Sequence, residues 1–428
     1  MSSKKKTACW AVGAVVVAGA AAAFAYAWQP SIEPLAQAPV PSANQTLLAQ
    51  GASLAELGDC MQCHTAKDGK PYAGGAPLAT PFGTIYTTNI TPDVDTGIGS
   101  WTLEAFTRAL RKGVSRDGHL LYPAFPYPHF TRMSDSDIAA LYAYLMARTP
   151  VHAPAAANDL TFPLNFRPLV AGWNLLFLRQ GPLPQPALAQ SDAWLRGRYL
   201  VEGAGHCASC HTPMNALGAE KLDQPYAGGL IDGWNVPPLN ALTLARKPWT
   251  EDQITDYLRT GIASEHSAAA GPMLPVAHHL GNAPESDVRA IATYLMSLQP
   301  PMPAQPAAPA PVATVDSQPL NPGAALFNAS CAGCHSAAAP MRSLGDRPAL
   351  ELGSTINADS PRNAIQMVLN GNPWNGSSSA HYMPPFASVL TDQQIADVLA
   401  YARSTYAQRP AWSGLPASVA AIRKENSK

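Results

Sequence analysis

Cys60-Met61-Gln62-Cys63-His64, Cys207-Ala208-Ser209-Cys210-His211 and Cys331-Ala332-Gly333-Cys334-His335 are three copies of one pattern, and they take six of the seven cysteines. Two thiols three residues apart stand about one helical turn apart, close enough to reach the two vinyl groups of one haem and form thioethers. The next residue, histidine, then faces the iron as its proximal ligand. A disulfide would not call for an adjacent histidine three times. A zinc site would need four ligands grouped together, and these pairs are far apart in sequence. The pattern therefore reads as three covalent c-type haems. The thioethers fall on Cys60, Cys63, Cys207, Cys210, Cys331 and Cys334, and the proximal ligands are His64, His211 and His335. Cys9, left over in an apolar stretch, reads as an inert residue.

The segments around these patterns repeat one another. Pro71-Tyr72-Ala73-Gly74-Gly75 returns as Pro225-Tyr226-Ala227-Gly228-Gly229, and Trp101-Thr102-Leu103-Glu104 as Trp249-Thr250-Glu251-Asp252. Both lead into an amphipathic helix with a glycine, Gly113 or Gly261, at the C-cap position. Each segment closes with a helix opened by a capping signal, near Ser134, Glu285 and Thr391. No strand pattern is convincing, so the fold class is all-α, with three consecutive small domains. The expected division is 1–28 signal anchor or signal peptide, 29–45 linker, 46–150 first domain and 151–190 connector. It continues with 191–298 second domain, 299–319 Pro/Ala linker, 320–410 third domain and 411–428 tail. The connector holds an apolar patch from Leu169 to Leu178, which reads as a short packed helix or as a docking surface for a partner or membrane.

Lys4, Lys5 and Lys6 precede an uncharged apolar run from Ala8 to Trp28. The run is long enough to span a ~30 Å hydrocarbon core. The basic flank predicts that everything after it lies outside the cytoplasm. An uncleaved anchor and a signal peptide cut after Ala25-Tyr26-Ala27 both fit. The expected location is the periplasmic side of a bacterial inner membrane. Of the 428 residues, 13% are charged, with 28 basic against 29 acidic; this balance offers no basic patch for nucleic acid. There is no nucleophile–base constellation or dinucleotide fingerprint.

An iron held by one histidine takes a sixth ligand or stays open, and the loop before each closing helix is where that ligand is expected. The second segment offers Met273 after Gly271-Pro272, with His278 and His279 as rivals. The third offers Met383 before Pro384-Pro385. Thioether ligation raises a haem's potential, which suits electron transfer. The first segment departs: Phe125 cannot ligate iron, which leaves His129, Met133 or an open position.

After the apolar run the chain resembles the three-haem cytochrome c subunits of bacterial membrane-associated dehydrogenases. The resemblance is carried by Thr80-Pro81-Phe82-Gly83-Thr84-Ile85-Tyr86, Thr88-Asn89-Ile90-Thr91-Pro92-Asp93, Gly97-Ile98-Gly99, Tyr122-Pro123-Ala124-Phe125-Pro126-Tyr127 and Ala268 to Met273. It implies a subunit that relays electrons from a catalytic dehydrogenase partner to the respiratory chain, through quinone, an oxidase or a soluble cytochrome. Such subunits serve quinoprotein alcohol dehydrogenases, flavin-dependent sugar dehydrogenases, and molybdenum hydroxylases acting on aldehydes or N-heteroaromatics. Phe125 with His129 downstream looks like the molybdenum branch. So do Asn165-Phe166-Arg167-Pro168-Leu169 with Ala171-Gly172-Trp173, and Trp234 with Pro237-Pro238-Leu239-Asn240. The rival readings are a subunit of an alcohol or sugar dehydrogenase, a peroxidase-like enzyme using an open first haem, and a free-standing carrier.

Overall fold

A computed structural model of the chain describes residues 27–301, 322–336, 339, 348–372 and 382–427. Nearly all of the expected anchor and most of the 299–319 linker lie outside the described residues, and so does His381. Among the described residues no helix is long and apolar enough to cross a membrane. The chain divides into two compact units: one runs to Ala189 and includes Tyr199–His206, and the other holds Gln190–Arg198 and everything from Cys207 onward.

The first unit opens with α1 (Gln45–Leu57), capped by the Asn44 side chain on the Leu47 amide, and then α2 (Cys60–Cys63). β1 (Pro77–Thr80) and β2 (Gly83–Tyr86) form an antiparallel pair, Pro77 opposite Tyr86. α3 (Leu103–Lys112) starts at Thr102, whose side chain accepts from the Ala105 amide, and stops at Gly113 in the left-handed region at φ 63°. Next come α4 (Tyr127–Phe130) and α5 (Asp135–Met146), the latter capped by Ser134. Leu54, Phe106, Ile138, Leu141 and Leu145 form the core between α1, α3 and α5. The connector adds β3 (Asp159–Leu160), paired with β2, and α6 (Leu169–Phe177).

The second unit contains most of α7 (Asp192–Tyr199), then α8 (Ala208–His211) and the hairpin of β4 (Gly229–Ile231) with β5 (Trp234–Val236). α9 (Glu251–Thr260) has a full capping box between Thr250 and Gln253 and ends at Gly261, φ 74°. A short pair, β6 (Ile262–Ala263) with β7 (Ser267–Ala268), leads to α10 (Met273–Asn282) and α11 (Glu285–Ser297). The last segment has α12 (Pro322–Ser330), α13 (Ala332–His335), α14 (Arg362–Asn370), α15 (Asp392–Ala402) and α16 (Leu415–Asn426). A capping box of Thr391 with Gln394 opens α15.

Helices dominate, as expected of an all-α fold, but the expectation of no strands is corrected by three small antiparallel sheets. Their strands are only two to four residues long, too short to show a period of two. Residues 29–45 are not a free tether: the Ile32 amide donates to Arg116 O at 2.7 Å, the Leu35 amide to Ser100 O at 2.8 Å, and Arg108 to Pro30 O at 2.6 Å. The tail of 411–428 is also corrected, because α16 buries Leu415, Val419 and Ile422 against the α14–α15 core. Those residues stand at i, i+4 and i+7, one face of a helix.

One feature recurs in all three segments. A Cβ added to Gly51 of α1 would overlap the carbonyl oxygen of Ala140 in α5 and meet the Tyr144 side chain. Gly197 of α7 sits in the same way on Ala290 and Tyr294 of α11, and Gly323 of α12 on Asp397 and Tyr401 of α15. Each opening helix thus crosses its closing helix backbone to backbone, which only glycine permits. Replacing Gly197 by Val should force α7 and α11 apart and cost about 1–3 kcal/mol, the usual range for overpacking. Thermal unfolding should show a lowered midpoint, with Gly197→Ala falling between the wild type and Gly197→Val.

Candidate functional site

Each Cys-x-x-Cys-His pattern is a single helical turn. The amides of His64, His211 and His335 donate to the carbonyls of Cys60, Cys207 and Cys331 at 3.0, 3.0 and 2.9 Å. The turn fixes the relative backbone positions of the two cysteines and the histidine. None of the six cysteines is in a disulfide. Burial pushes Cys60 and Cys207 up to about 12 and Cys331 up to about 11. These thiols are protonated near pH 7. Among the described residues no group of three His, Cys, Asp or Glu side chains is placed to hold a metal ion.

The first two histidines are aimed by the same device. His64 Nδ1 lies 2.7 Å from Thr88 O, and His211 Nδ1 lies 2.8 Å from Pro237 O. A carbonyl only accepts, so Nδ1 carries the proton and the neutral ring keeps its lone pair on Nε2. Desolvation lowers the pKa of His64 and holds that of His211 down at about 4, against the weaker opposing pull of those hydrogen bonds. Both rings are therefore neutral near pH 7, the state that ligates a metal. Beside Cys210 a cleft is lined by Thr212, Pro213, Met214, Leu230 and Ile231. Two thiols and an Nε2 lone pair fit a covalently bound haem.

The repeated Pro-Tyr-Ala-Gly-Gly stretch locks the end of each turn. The amides of Gly74 and Gly228 donate to the carbonyls of His64 and His211, both at 2.8 Å. Tyr72 and Tyr226 are held at φ 63° and 59°, and their amides donate to the hydroxyls of Thr65 and Thr212 at 3.1 and 3.0 Å. The next pair of contacts, Ile90 amide to Tyr72 O and Leu239 amide to Tyr226 O, both 2.9 Å, brings up the segments carrying Thr88 O and Pro237 O.

The expected sixth-ligand residues are placed as follows. Met383 is half-buried against the core of the last segment and pairs with Asn372 through both backbone hydrogen bonds, 2.8 and 3.0 Å. Met273 is the first residue of α10, not a loop residue, and Trp234 packs over Gly271 just before it. Met133 is 2% exposed, in the core against which Cys60 and Phe125 pack. His129, also 2% exposed, sits on α4 with Nδ1 3.0 Å from Glu202 O. His278 and His279 stack on each other along α10, centroids 5.8 Å apart.

The family models agree with this geometry. The Cytochrome c model matches residues 48–149 and 195–299, and that of cytochrome C oxidase, cbb3-type, subunit III matches 318–401. The gluconate 2-dehydrogenase cytochrome c subunit of Pantoea cypripedii is 38% identical, over 90% of this chain and 91% of its own length. The chain belongs to the cytochrome c subunits of dehydrogenases. The cytochrome c subunit of the quinone alcohol dehydrogenase of Gluconobacter oxydans is 38% identical over 84% of this chain and 79% of its own. A nicotinate dehydrogenase subunit from Pseudomonas putida is 46% identical over 98% of this chain, which spans 36% of that protein.

Sequence reasoning missed several residues that shape this cytochrome subunit's sites. Thr88 and Pro237 act through backbone carbonyls, which leave no side-chain signature. Thr65 and Thr212 each follow a motif histidine, and that repeated His-Thr was a usable signal. Asn372, 2% exposed, donates from Nδ2 to Ala269 O at 3.0 Å while its backbone pairs with Met383. It thereby ties the stretch preceding Met273 to the stretch carrying Met383.

Thr212 offers a direct test of the lock. Valine keeps its shape but removes the acceptor for the buried Tyr226 amide. Leaving that donor unpaired costs about 1–3 kcal/mol. Guanidinium unfolding of Thr212→Val, followed by haem absorbance, should show the lowered midpoint, with Thr212→Ser closer to wild type.

Proposed function

We propose that this chain carries three covalent haems and passes electrons singly from a catalytic dehydrogenase partner toward the respiratory chain. The observation that carries the reading is the paired orientation of His64 and His211, each with its proton fixed on Nδ1 by a backbone carbonyl. Bound haem supplies one-electron oxidation and reduction at each site. The chain's residues attach it, aim a nitrogen at it and shield it. Three haems are supported by the third motif, which repeats the turn of the other two and the Gly323 helix crossing. Met273 and Met383 are the proposed sixth ligands of the second and third haems. His129 is proposed for the first, because its Nδ1 donates to a carbonyl as His64 and His211 do; Met133, set in the apolar core, is the alternative.

The proposed domains are 46–150, 191–298 and 320–410, close to the matched ranges 48–149, 195–299 and 318–401. The proposed partner oxidises an N-heteroaromatic compound or an aldehyde. The relative named for nicotinate is 46% identical, against 38% for the gluconate and quinone alcohol relatives, and nicotinate is itself a pyridine ring acid. We place the protein on the periplasmic face of the inner membrane, held by residues 8–28, with quinone, an oxidase or a soluble cytochrome as acceptor.

Two measurements test this reading. Mass spectrometry after acid–acetone extraction, on protein made with haem-attachment machinery, should show three retained haems; two would remove the third site. Met383→Ala should slow transfer to the natural acceptor and leave the partner's turnover with an artificial acceptor at the wild-type rate. Loss of both activities, or oxidation of substrate by this chain alone, would replace the relay by an enzyme.

A further inference from the structure

The connector helix α6 reads Leu169-Val170-Ala171-Gly172-Trp173-Asn174-Leu175-Leu176-Phe177, without a charge. One face is accounted for. Val170 and Ala171 are buried against Val114 and Leu120, and Asn174 Oδ1 accepts from the Tyr127 hydroxyl at 2.6 Å. At 100° per residue, 169, 172, 175 and 176 fall on the opposite arc. Leu169, Leu175 and Leu176 are 46%, 64% and 56% exposed there. Just before the helix, Phe162 and Phe166 are 87% and 59% exposed. A helix with apolar side chains on both faces is built to be covered on both sides, and no described residue of its own unit covers this arc.

The start of the described chain points to the cover. Ala27, near the end of the uncharged run 8–28, packs in the same small cluster as Val170 and Ala171. Trp28 beside it is 61% exposed, an aromatic at the end of an apolar run, where membrane interfaces concentrate tryptophan. The chain that follows has no slack, because Pro30, Ile32 and Leu35 are bonded to the first unit within a few residues of the run. Wherever the run enters a bilayer, α6 is therefore held at the entry point. Arg179, exposed just past the helix, offers one basic side chain to lipid phosphates.

We propose that the face of α6 bearing Leu169, Leu175 and Leu176, with Phe162 and Phe166, lies in the headgroup region of the bilayer entered by residues 8–28. The anchor alone would leave the first unit free to swivel. A second apolar contact fixes which face of that unit meets the membrane, in the manner of an interfacial helix. The proposal rests on the anchored reading above, and its test separates the two. The full-length haem-loaded protein is reconstituted in phosphatidylethanolamine–phosphatidylglycerol vesicles with a phospholipid carrying a diazirine near the top of its acyl chain. After irradiation and digestion, lipid adducts are mapped by mass spectrometry. Adducts are expected on the 162–177 peptide as well as on the N-terminal run. The double change Leu175→Asp, Leu176→Asp should remove the former and keep the latter. Adducts on the run alone overturn the proposal and leave the anchor standing, as they would if a protein partner covers α6. Adducts on neither overturn both. Equal labelling of the peptide containing Leu222, 72% exposed but in the second unit, would show non-specific capture and also overturn the proposal.

Discussion

A hydrogen bond from a ring Nδ1–H to a backbone carbonyl is the constraint on which the functional architecture depends. It fixes the tautomer, turns the imidazole and leaves Nε2 as the nitrogen with a lone pair. For His64 the carbonyl is Thr88 and for His211 it is Pro237. Most of the irregular chain in these segments serves to bring those carbonyls into place. Gly74 and Gly228 hold the histidine carbonyls, Tyr72 and Tyr226 take left-handed conformations, and Thr65 and Thr212 satisfy the amides that those conformations turn inward. Each such tyrosine stores on the order of 1–2 kcal/mol of backbone strain. That strain is held because the surrounding hydrogen bonds all require it.

Around these turns the helices form a frame used three times. Gly51, Gly197 and Gly323 let each opening helix cross its closing helix at backbone contact. Within the second unit the two Cys-x-x-Cys-His segments are joined by polar contacts. Asn235 and Asn363 exchange hydrogen bonds at 2.8 and 2.7 Å, and Gln366 donates to Gly233 O at 3.1 Å. β5, whose chain runs straight into Pro237, is thus clamped to α14. Asn372 adds a link from the stretch carrying Met383 to Ala269. Hydrogen bonds thus tie the surroundings of the second and third sites to each other.

The chemistry of this protein was legible in its sequence because covalent haem attachment leaves a dense signature. Caps were legible in part: Ser134 and Thr391 cap helices through their side chains, and Gly113 and Gly261 end helices in the left-handed region, but the signal read near Glu285 is no side-chain cap, because that helix follows Pro284, whose ring has no acceptor. What escaped reading acts through backbone or over distance. Strands of two to four residues show no period, and the carbonyls of Thr88 and Pro237 carry no residue-type signal. α16 was hidden by its position after Pro410 and by a composition that looks like a tail, although Leu415, Val419 and Ile422 keep helical spacing. The Gly-over-Tyr crossings were present as isolated glycines inside helical patterns, a sign of close packing that only the fold makes specific.

Electrons from a partner's substrate are expected to pass through haems held by these turns. Rapid mixing of the assembled complex with its substrate, followed at the absorbance of reduced c-type haem, tests it most directly. Haem reduction at least as fast as steady-state turnover is expected, with reoxidation when the natural acceptor is added. Turnover with that acceptor while the haems stay oxidised, or haem reduction slower than turnover, would contradict it.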